Sequence, residues 1–418
     1  QSHVKYHLVS NPEAPADRIF YEEKSDTYLD ADNVILLKDG NAMLRTSEKD
    51  GYNHIYHLTF TGTLTQVTSG KWDVMDLYGI DEKKGTVFYS SSENGAINKT
   101  LYSINWKGTD KKMLSKASGY HDAEYAPGFN YFIRTSSSAN TVPTYALCDR
   151  NGKEIQVLEA NTEIQNKLNV MNLSQKEFIH VDGSDGKLNS WIMKPANFDP
   201  NRKYPVIVQV YGGPGRQKVT NAWRMPEERL FLDSGYLLFQ LDNRGTLNRG
   251  LAFEAPIAGQ LGSVEVDDQL TGLDFLRGLP FVDPDRIGVT GWSYGGYAAL
   301  QSQVLDPALF KAVVAIAPVT DLGFLIADAR DYTNSRLVRD YVGEGPHVAS
   351  GSPRRHAERF AAPVALFHGT RDLNVDVRHA QAMERALKEA GKSVTYREYA
   401  DLQHGLDDST ARAEMLAD

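Results

Sequence analysis

The stretch Ile287-Gly288-Val289-Thr290-Gly291-Trp292-Ser293-Tyr294-Gly295-Gly296-Tyr297-Ala298-Ala299-Leu300 decides the fold. Its first four residues are β-prone, its last four have helix-favouring composition, and a G-x-S-x-G turn joins them. Strand, sharp turn and helix in that order lift a serine clear at the top of a sheet and free the next amide to bind an oxyanion. The turn strains the serine backbone, so glycine is needed on both sides to avoid clashes. The pentapeptide alone is weak: with Gly and Ser each near roughly 7% of residues, chance supplies it in about one chain in seven of this length. Its surroundings carry the argument.

A nucleophilic serine needs a base and a carboxylate to orient it, in the chain order Ser, Asp or Glu, His on a sheet of this kind. Ala362-Pro363-Val364-Ala365-Leu366-Phe367-His368-Gly369-Thr370-Arg371-Asp372 supplies a strand, a glycine turn and Asp372 as the candidate acid. The next strand, Ser393-Val394-Thr395-Tyr396-Arg397-Glu398-Tyr399, leads to Gln403-His404-Gly405 and makes His404 the candidate base. Asp321, after the strand that follows the elbow, is the rival acid. Asp376 reads as a helix cap, His368 as a packed structural residue, and His347, His356 and His379 as solvent-exposed. One oxyanion donor is expected to be the Tyr294 backbone N–H. The other is expected from the loop Val210-Tyr211-Gly212-Gly213-Pro214, where the Tyr211 hydroxyl either donates or merely packs.

Outward from these motifs the chain has two grammars. After Pro200, apolar runs at 206–211, 236–241, 287–290, 312–317, 364–367 and 394–396 alternate with candidate helices at 264–279, 297–305 and 377–390. That alternation predicts a mostly parallel α/β sheet with helices on both faces. A hairpin is expected where 178–181 and 190–193 flank a turn-rich segment. Before about residue 170, short alternating runs punctuated by Gly, Asn, Asp and Ser predict many short strands. Ile55-Tyr56-His57-Leu58-Thr59-Phe60-Thr61-Gly62 recurs as Leu101-Tyr102-Ser103-Ile104-Asn105-Trp106-Lys107-Gly108, with a weaker echo at Tyr145-Ala146-Leu147-Cys148-Asp149-Arg150-Asn151-Gly152. The closing glycines lie 46 and 44 residues apart, the period of a four-stranded propeller blade. The predicted organisation is a partial β-propeller domain of about three blades over 1–170, then an α/β-hydrolase catalytic domain over 171–418. A non-repeating β-sandwich is the alternative for the first part. Three blades fall short of the roughly four to eight of closed propellers, so the chain is expected to lack N-terminal blades, and Asp418 falls within the expected last helix.

Bulk properties narrow the chemistry. A formal charge of −9 over 418 residues, with no basic stripe, argues against nucleic acid or an anionic membrane as partner. Cys148 is the only cysteine, which excludes an intrachain disulfide and a cysteine-based metal cluster. No run of about 18 apolar residues predicts a membrane span, and Gln1-Ser2-His3-Val4-Lys5-Tyr6 has no leader-peptide pattern. The expected chemistry needs neither metal nor cofactor.

The motifs together resemble the prolyl oligopeptidase family of serine peptidases, in its dipeptidyl peptidase IV branch. The residues that carry the likeness are Glu48-Lys49-Asp50-Gly51-Tyr52-Asn53-His54-Ile55-Tyr56, Val210-Tyr211-Gly212-Gly213-Pro214-Gly215, Asp242-Asn243-Arg244-Gly245 and Gly291-Trp292-Ser293-Tyr294-Gly295-Gly296. His368-Gly369-Thr370-Arg371-Asp372-Leu373-Asn374-Val375 and Gln403-His404-Gly405 complete the set. The resemblance implies a propeller capping an α/β-hydrolase domain, a triad of Ser293, Asp372 and His404, and an oxyanion hole of Tyr211 and the Tyr294 amide. It also implies that Tyr294, Val319, Asn374 and Val375 line the proline-accepting pocket or fix the substrate carbonyl. A homodimer and a periplasmic or secreted location are compatible with it.

Two departures bear on specificity. Nothing at the start of the chain matches the paired glutamates that grip a substrate amine in that branch; Glu22-Glu23 stands at the wrong place for the role. After Ala317-Pro318-Val319, where the branch has a tryptophan- and tyrosine-rich pocket wall, this chain reads Thr320-Asp321-Leu322-Gly323-Phe324-Leu325-Ile326, closer to acylaminoacyl-peptidase-like members. The leading expectation is a peptidase on short peptides, releasing N-terminal dipeptides with proline or a small residue before the cleaved bond. An acylaminoacyl peptidase or esterase with the same triad is the second reading, and a propeller-based binding protein with an impaired hydrolase domain the third.

Overall fold

A computed structural model describes residues 2–8, 18–25, 27, 33–224, 229–328, 338, 341–343 and 345–417. The chain divides into two compact units. The first comprises Gln1–Leu173 with two later segments, Thr220–Met225 and Leu247–Ala255; the second comprises Ser174–Val219, Pro226–Thr246 and Pro256–Asp418.

In the first unit, strands β1 (Ser2–Leu8) and β2 (Arg18–Ser25) form an antiparallel pair. Three four-stranded antiparallel meanders follow: β3 (Val34–Leu36), β4 (Ala42–Ser47), β5 (His54–Thr59) and β6 (Leu64–Gln66); β7 (Val74–Asp81), β8 (Thr86–Ser91), β9 (Thr100–Asn105) and β10 (Lys112–Met113); β11 (Tyr120–Tyr125), β12 (Tyr131–Ser138), β13 (Thr141–Asp149) and β14 (Glu154–Glu159). These are propeller blades. Their inner faces pack on one another, with Leu44 and Ile55 meeting Val87, Tyr89 and Tyr102 in one core, and Phe88 and Leu101 meeting Phe132, Ala146 and Cys148 in the next.

The sequence repeat has a physical cause. Each copy covers the third strand of its blade and the turn after it, ending on Gly62, Gly108 or Gly152 at φ +95, +84 and +83. A Cβ on these glycines would meet backbone carbonyl oxygens: Phe20 O at 2.8 Å, Val67 O at 3.3 Å and Leu114 O at 2.5 Å respectively. Each turn therefore needs a left-handed residue without a side chain. Within residues 1–173 the helix Thr162–Val170 stands where none was expected; it buries none of its residues, so no apolar face announces it in the sequence.

The second unit holds an eight-stranded sheet in the order β15 (Glu177–Gly183), β16 (Gly186–Met193), β18 (Leu237–Leu241), β17 (Tyr204–Val210), β19 (Val282–Trp292), β20 (Ala312–Ile316), β21 (Val364–Gly369) and β22 (Val394–Tyr399). β15 and β16 form the expected hairpin and β16 pairs antiparallel with β18; the pairings from β18 to β22 are parallel. β17 alternates buried and half-buried residues, and Val206, Val208, Val210, Ile287, Val289 and Val313 are all at most 5% exposed. From β17 the chain steps to β18 on one side and returns to β19 on the other. A sheet of this class opens a crevice at that reversal, beyond the carboxyl ends of its strands. Tyr211 and Ser293 follow β17 and β19 directly. Helices Val264–Arg277 and Arg378–Glu389 match the predicted spans within two residues, while Tyr294–Leu305 begins three residues earlier than predicted, immediately after Ser293. Among the described residues no helix is long and apolar enough to cross a membrane.

Candidate active site

Ser293 sits between β19 and the helix Tyr294–Leu305 at φ 60, ψ −121, a conformation that costs an L-residue about 1–3 kcal/mol. Neighbouring contacts hold it there. The Ser293 amide donates to Ile316 O at 2.8 Å, and the Tyr297 amide donates to Ser293 O at 3.1 Å. A Cβ on Gly291 would lie 2.1 Å from Gly295 O, and one on Gly295 would lie 2.2 Å from Val210 O, so the elbow closes only with glycine at both positions. Tyr294 is the first helical residue, and the amides of a helix's first turn have no intrahelical acceptor.

Asp372 and His404 stand in the loops after β21 and β22. The His404 Nδ1–H donates to Asp372 Oδ2 at 2.6 Å. The other carboxylate oxygen accepts the Asn374 and Val375 amides at 2.8 and 2.9 Å. Burial opposes the charge on Asp372, but hydrogen bonds from His368, His404 and the Val375 amide outweigh it and hold the carboxyl well below the usual carboxylate range. The acid is therefore ionised at neutral pH. The Trp292 indole N–H donates to the His404 carbonyl at 2.9 Å, tying the imidazole's loop to the residue before Ser293.

The rival acid is engaged elsewhere. Asp321 is fully buried, accepts the Gly323 and Phe324 amides, and pairs with Arg354 at 2.5 Å and Arg355 at 3.2 Å. Asp376, read as a helix cap, stands one residue ahead of the N-cap Val377 and closes a local turn by accepting the Arg378 amide at 2.9 Å. His368 is fully buried, as a packed residue should be, but its role is larger than packing: Nε2–H donates to Val375 O at 2.9 Å and lies 3.2 Å from Asp372 Oδ2. The expectation of exposed histidines is corrected. His379 is 1% exposed because its Nδ1 accepts the Thr320 amide at 3.0 Å. His347 and His356 are half-buried, each with Nε2 at a backbone carbonyl, Val342 O and Ala349 O respectively.

Tyr211 is braced from below. Asn243, fully buried, donates to Gly212 O at 3.1 Å; Asp242 accepts the Lys218 and Val219 amides; Arg244 pairs with Asp268 at 2.8 Å. Asn243 thus supports the Tyr211 loop itself, while Asp242 holds the segment after it and Arg244 fixes the motif to the helix Val264–Arg277. Burial raises the Tyr211 hydroxyl above its ordinary value, so it remains a donor at neutral pH. The Lys218 ammonium lies 4.4 Å from its ring centroid.

Tyr294, Val319 and Val375 share one buried apolar cluster, with Tyr211, Leu325 and Ile326 packed against it. Three of the four residues assigned to the pocket are thus brought together, and Asn374 adjoins them through its amide to Asp372. Sequence reasoning passed over Glu265, a fully buried acid that accepts the Tyr294 hydroxyl at 2.6 Å. Its only signal was an acidic residue in the first turn of a helix, which ordinarily reads as a response to the helix dipole.

Comparison with known proteins finds relatives along most of the chain. Residues 223–418 match the prolyl oligopeptidase family, and residues 1–143 match the dipeptidyl peptidase IV N-terminal region. The chain is 30% identical over 384 residues to prolyl endopeptidase FAP of Mus musculus, covering 88% of this chain and 50% of that protein. It is 28% identical over 393 residues to dipeptidyl peptidase 4 of Trichophyton equinum, covering 89% of this chain and 50% of that protein. The crystal structure of Porphyromonas gingivalis dipeptidyl peptidase 4 superposes with a TM-score of 0.90 at 32% identity, over 96% of this chain and 57% of that one. The chain thus spans about half the length of the curated relatives it matches. With a propeller region ahead of an α/β-hydrolase region and both family matches in that order, the chain belongs to the prolyl oligopeptidase family of serine peptidases, in its dipeptidyl peptidase IV-like branch.

Proposed function

We propose that the protein is a serine peptidase that cleaves short peptides through an acyl-enzyme, with Ser293 as nucleophile, His404 as general base and acid, and Asp372 as its orienting carboxylate. The observation that carries this reading is the 2.6 Å bond from His404 Nδ1 to an ionised Asp372, tied by Trp292 to the strained Ser293 turn. That bond fixes the tautomer with Nε2 free to take the serine proton, and the carboxylate stabilises the imidazolium as it forms. The Tyr211 hydroxyl and the Tyr294 amide stabilise the tetrahedral oxyanion; one such donor is worth about 3–4 kcal/mol in the transition state. His404 then protonates the leaving amine, and water repeats the sequence on the acyl-enzyme. The apolar cluster of Tyr294, Val319 and Val375 suits proline or a small residue before the scissile bond, and the products are N-terminal dipeptides.

A second reading, an acylaminoacyl peptidase or esterase with the same triad, is favoured by one feature. The helix Leu322–Asp328 offers the cluster Leu325 and Ile326, not aromatic side chains. Turnover of Gly-Pro-anilide, N-acetylated aminoacyl anilides and simple esters separates the two. Preference for the free-amine dipeptide supports the first reading, and preference for blocked substrates replaces it with the second.

A further inference from the structure

Glu265 lies in the first turn of the helix Val264–Arg277 and is fully buried. Its Oε1 accepts the Tyr294 hydroxyl at 2.6 Å and the Gly262 amide at 2.5 Å. A carboxyl so far from water is costly unless its oxygens are used, and here it faces the residue directly after the candidate nucleophile. The Tyr294 ring is packed against three neighbours. It meets Tyr297 edge-on at 4.9 Å between centroids and Tyr211 at 6.3 Å. Gly213 lies close to both rings: a Cβ there would be 2.8 Å from Tyr211 Cε1 and 3.0 Å from Tyr294 Cγ. The two candidate oxyanion donors are therefore residues of one packed aromatic group, and Glu265 anchors the hydroxyl of its central ring, Tyr294.

We infer that Glu265 is a positioning residue for the oxyanion pocket: by holding the Tyr294 hydroxyl it fixes the side chain, and through the side chain the aim of the Tyr294 backbone N–H. This rests on the reading of Ser293 as nucleophile. At 2.6 Å the bond is short enough to fix the direction of the Tyr294 hydroxyl. Oxyanion donors act only when preorganised, so loosening this anchor weakens transition-state binding and leaves substrate binding nearly intact. Burial raises the Glu265 carboxyl above its ordinary value, opposed by the Tyr294 hydroxyl and the Gly262 amide. The contact survives in either protonation state, because Oε1 can accept in both.

The test is steady-state kinetics on Glu265→Ala, Glu265→Gln and Tyr294→Phe, together with inhibition by a boronic acid analogue of the best anilide substrate. Glu265→Ala is expected to lower kcat about thirtyfold with KM within about twofold, and to weaken the boronate by a similar factor. Glu265→Gln keeps a carbonyl acceptor and is expected to restore kcat to within about threefold of wild type. Tyr294→Phe breaks the same bond from the other side, is expected to match Glu265→Ala, and serves alone if that variant does not fold. Unchanged kcat, a loss confined to KM, or a Gln variant as poor as Ala overturns the inference. A wild-type protein that neither turns over substrate nor binds the boronate overturns the peptidase reading instead.

Discussion

The indole N–H of Trp292 donates to the backbone carbonyl of His404 across 112 residues of sequence. Trp292 also packs with Phe367, Tyr399 and Leu406, so the β22 loop is seated on the strand end that presents Ser293. Trp292→Phe keeps most of the packing and removes the donor. It is expected to cost about 1 kcal/mol of stability and to lower kcat/KM about tenfold, since small displacements of a catalytic group are expensive. Stopped-assay kinetics beside a urea titration check both; activity within about twofold of wild type would separate the tryptophan from the imidazole's placement.

Asp372→Asn preserves an acceptor for the Asn374 and Val375 amides but turns an N–H towards His404 Nδ1. The imidazole is then driven to the tautomer with its proton on Nε2, where it cannot take the serine proton. The expected fall in kcat is about 10⁴-fold with the fold retained, read by turnover and circular dichroism. A variant that loses less than about tenfold would return the search for the acid to other carboxylates.

Gly152→Ala tests the origin of the propeller repeat. The position combines φ +83 with a backbone oxygen 2.5 Å from where the Cβ would stand. Left-handed backbone alone costs an alanine about 1–2 kcal/mol, and relief of the clash adds to it. The expected destabilisation exceeds about 2 kcal/mol in a denaturant titration of the first unit's tryptophan signal. A change under about 0.5 kcal/mol would show that the repeat is not fixed by the turn.

His379 makes stability depend on pH. Burial, with the Arg378 charge beside it, lowers its imidazole to about 4, and its Nδ1 must be unprotonated to accept the Thr320 amide. The unfolded chain binds this proton near pH 6.5 and the folded one near 4. Stability is therefore fully present above pH 6.5 and falls as pH drops between those values, by about 3 kcal/mol in total. His379→Gln removes that component. Urea midpoints at pH 7.5 and 4.5 should diverge more in wild type than in the variant; equal slopes would contradict the buried neutral ring.

Legibility in the sequence followed locality. The strand ends that carry Ser293, Asp372 and His404 were readable because each is a short apolar run in a fixed order, and the structure sets Asp372 and His404 in hydrogen-bond contact. The propeller was readable through glycines whose conformation no other residue adopts easily. What could not be read depends on contacts between distant segments. His379 looks like a polar residue on an exposed helix until the Thr320 loop covers it. His368 gains its part only when the chain folds back at Val375, and the first unit recruits Thr220–Met225 and Leu247–Ala255 from the other half of the chain. Glu265 resembles any acidic first-turn residue until Tyr294 is placed over it.

The central claim is that Ser293 is an activated nucleophile, and covalent labelling tests it most directly. Folded protein treated with a fluorophosphonate probe and analysed by peptide mass spectrometry should carry a single adduct on Ser293, at a rate reduced by several orders of magnitude in His404→Ala. Folded protein that leaves Ser293 unmodified, or labels equally well without His404, would contradict the account.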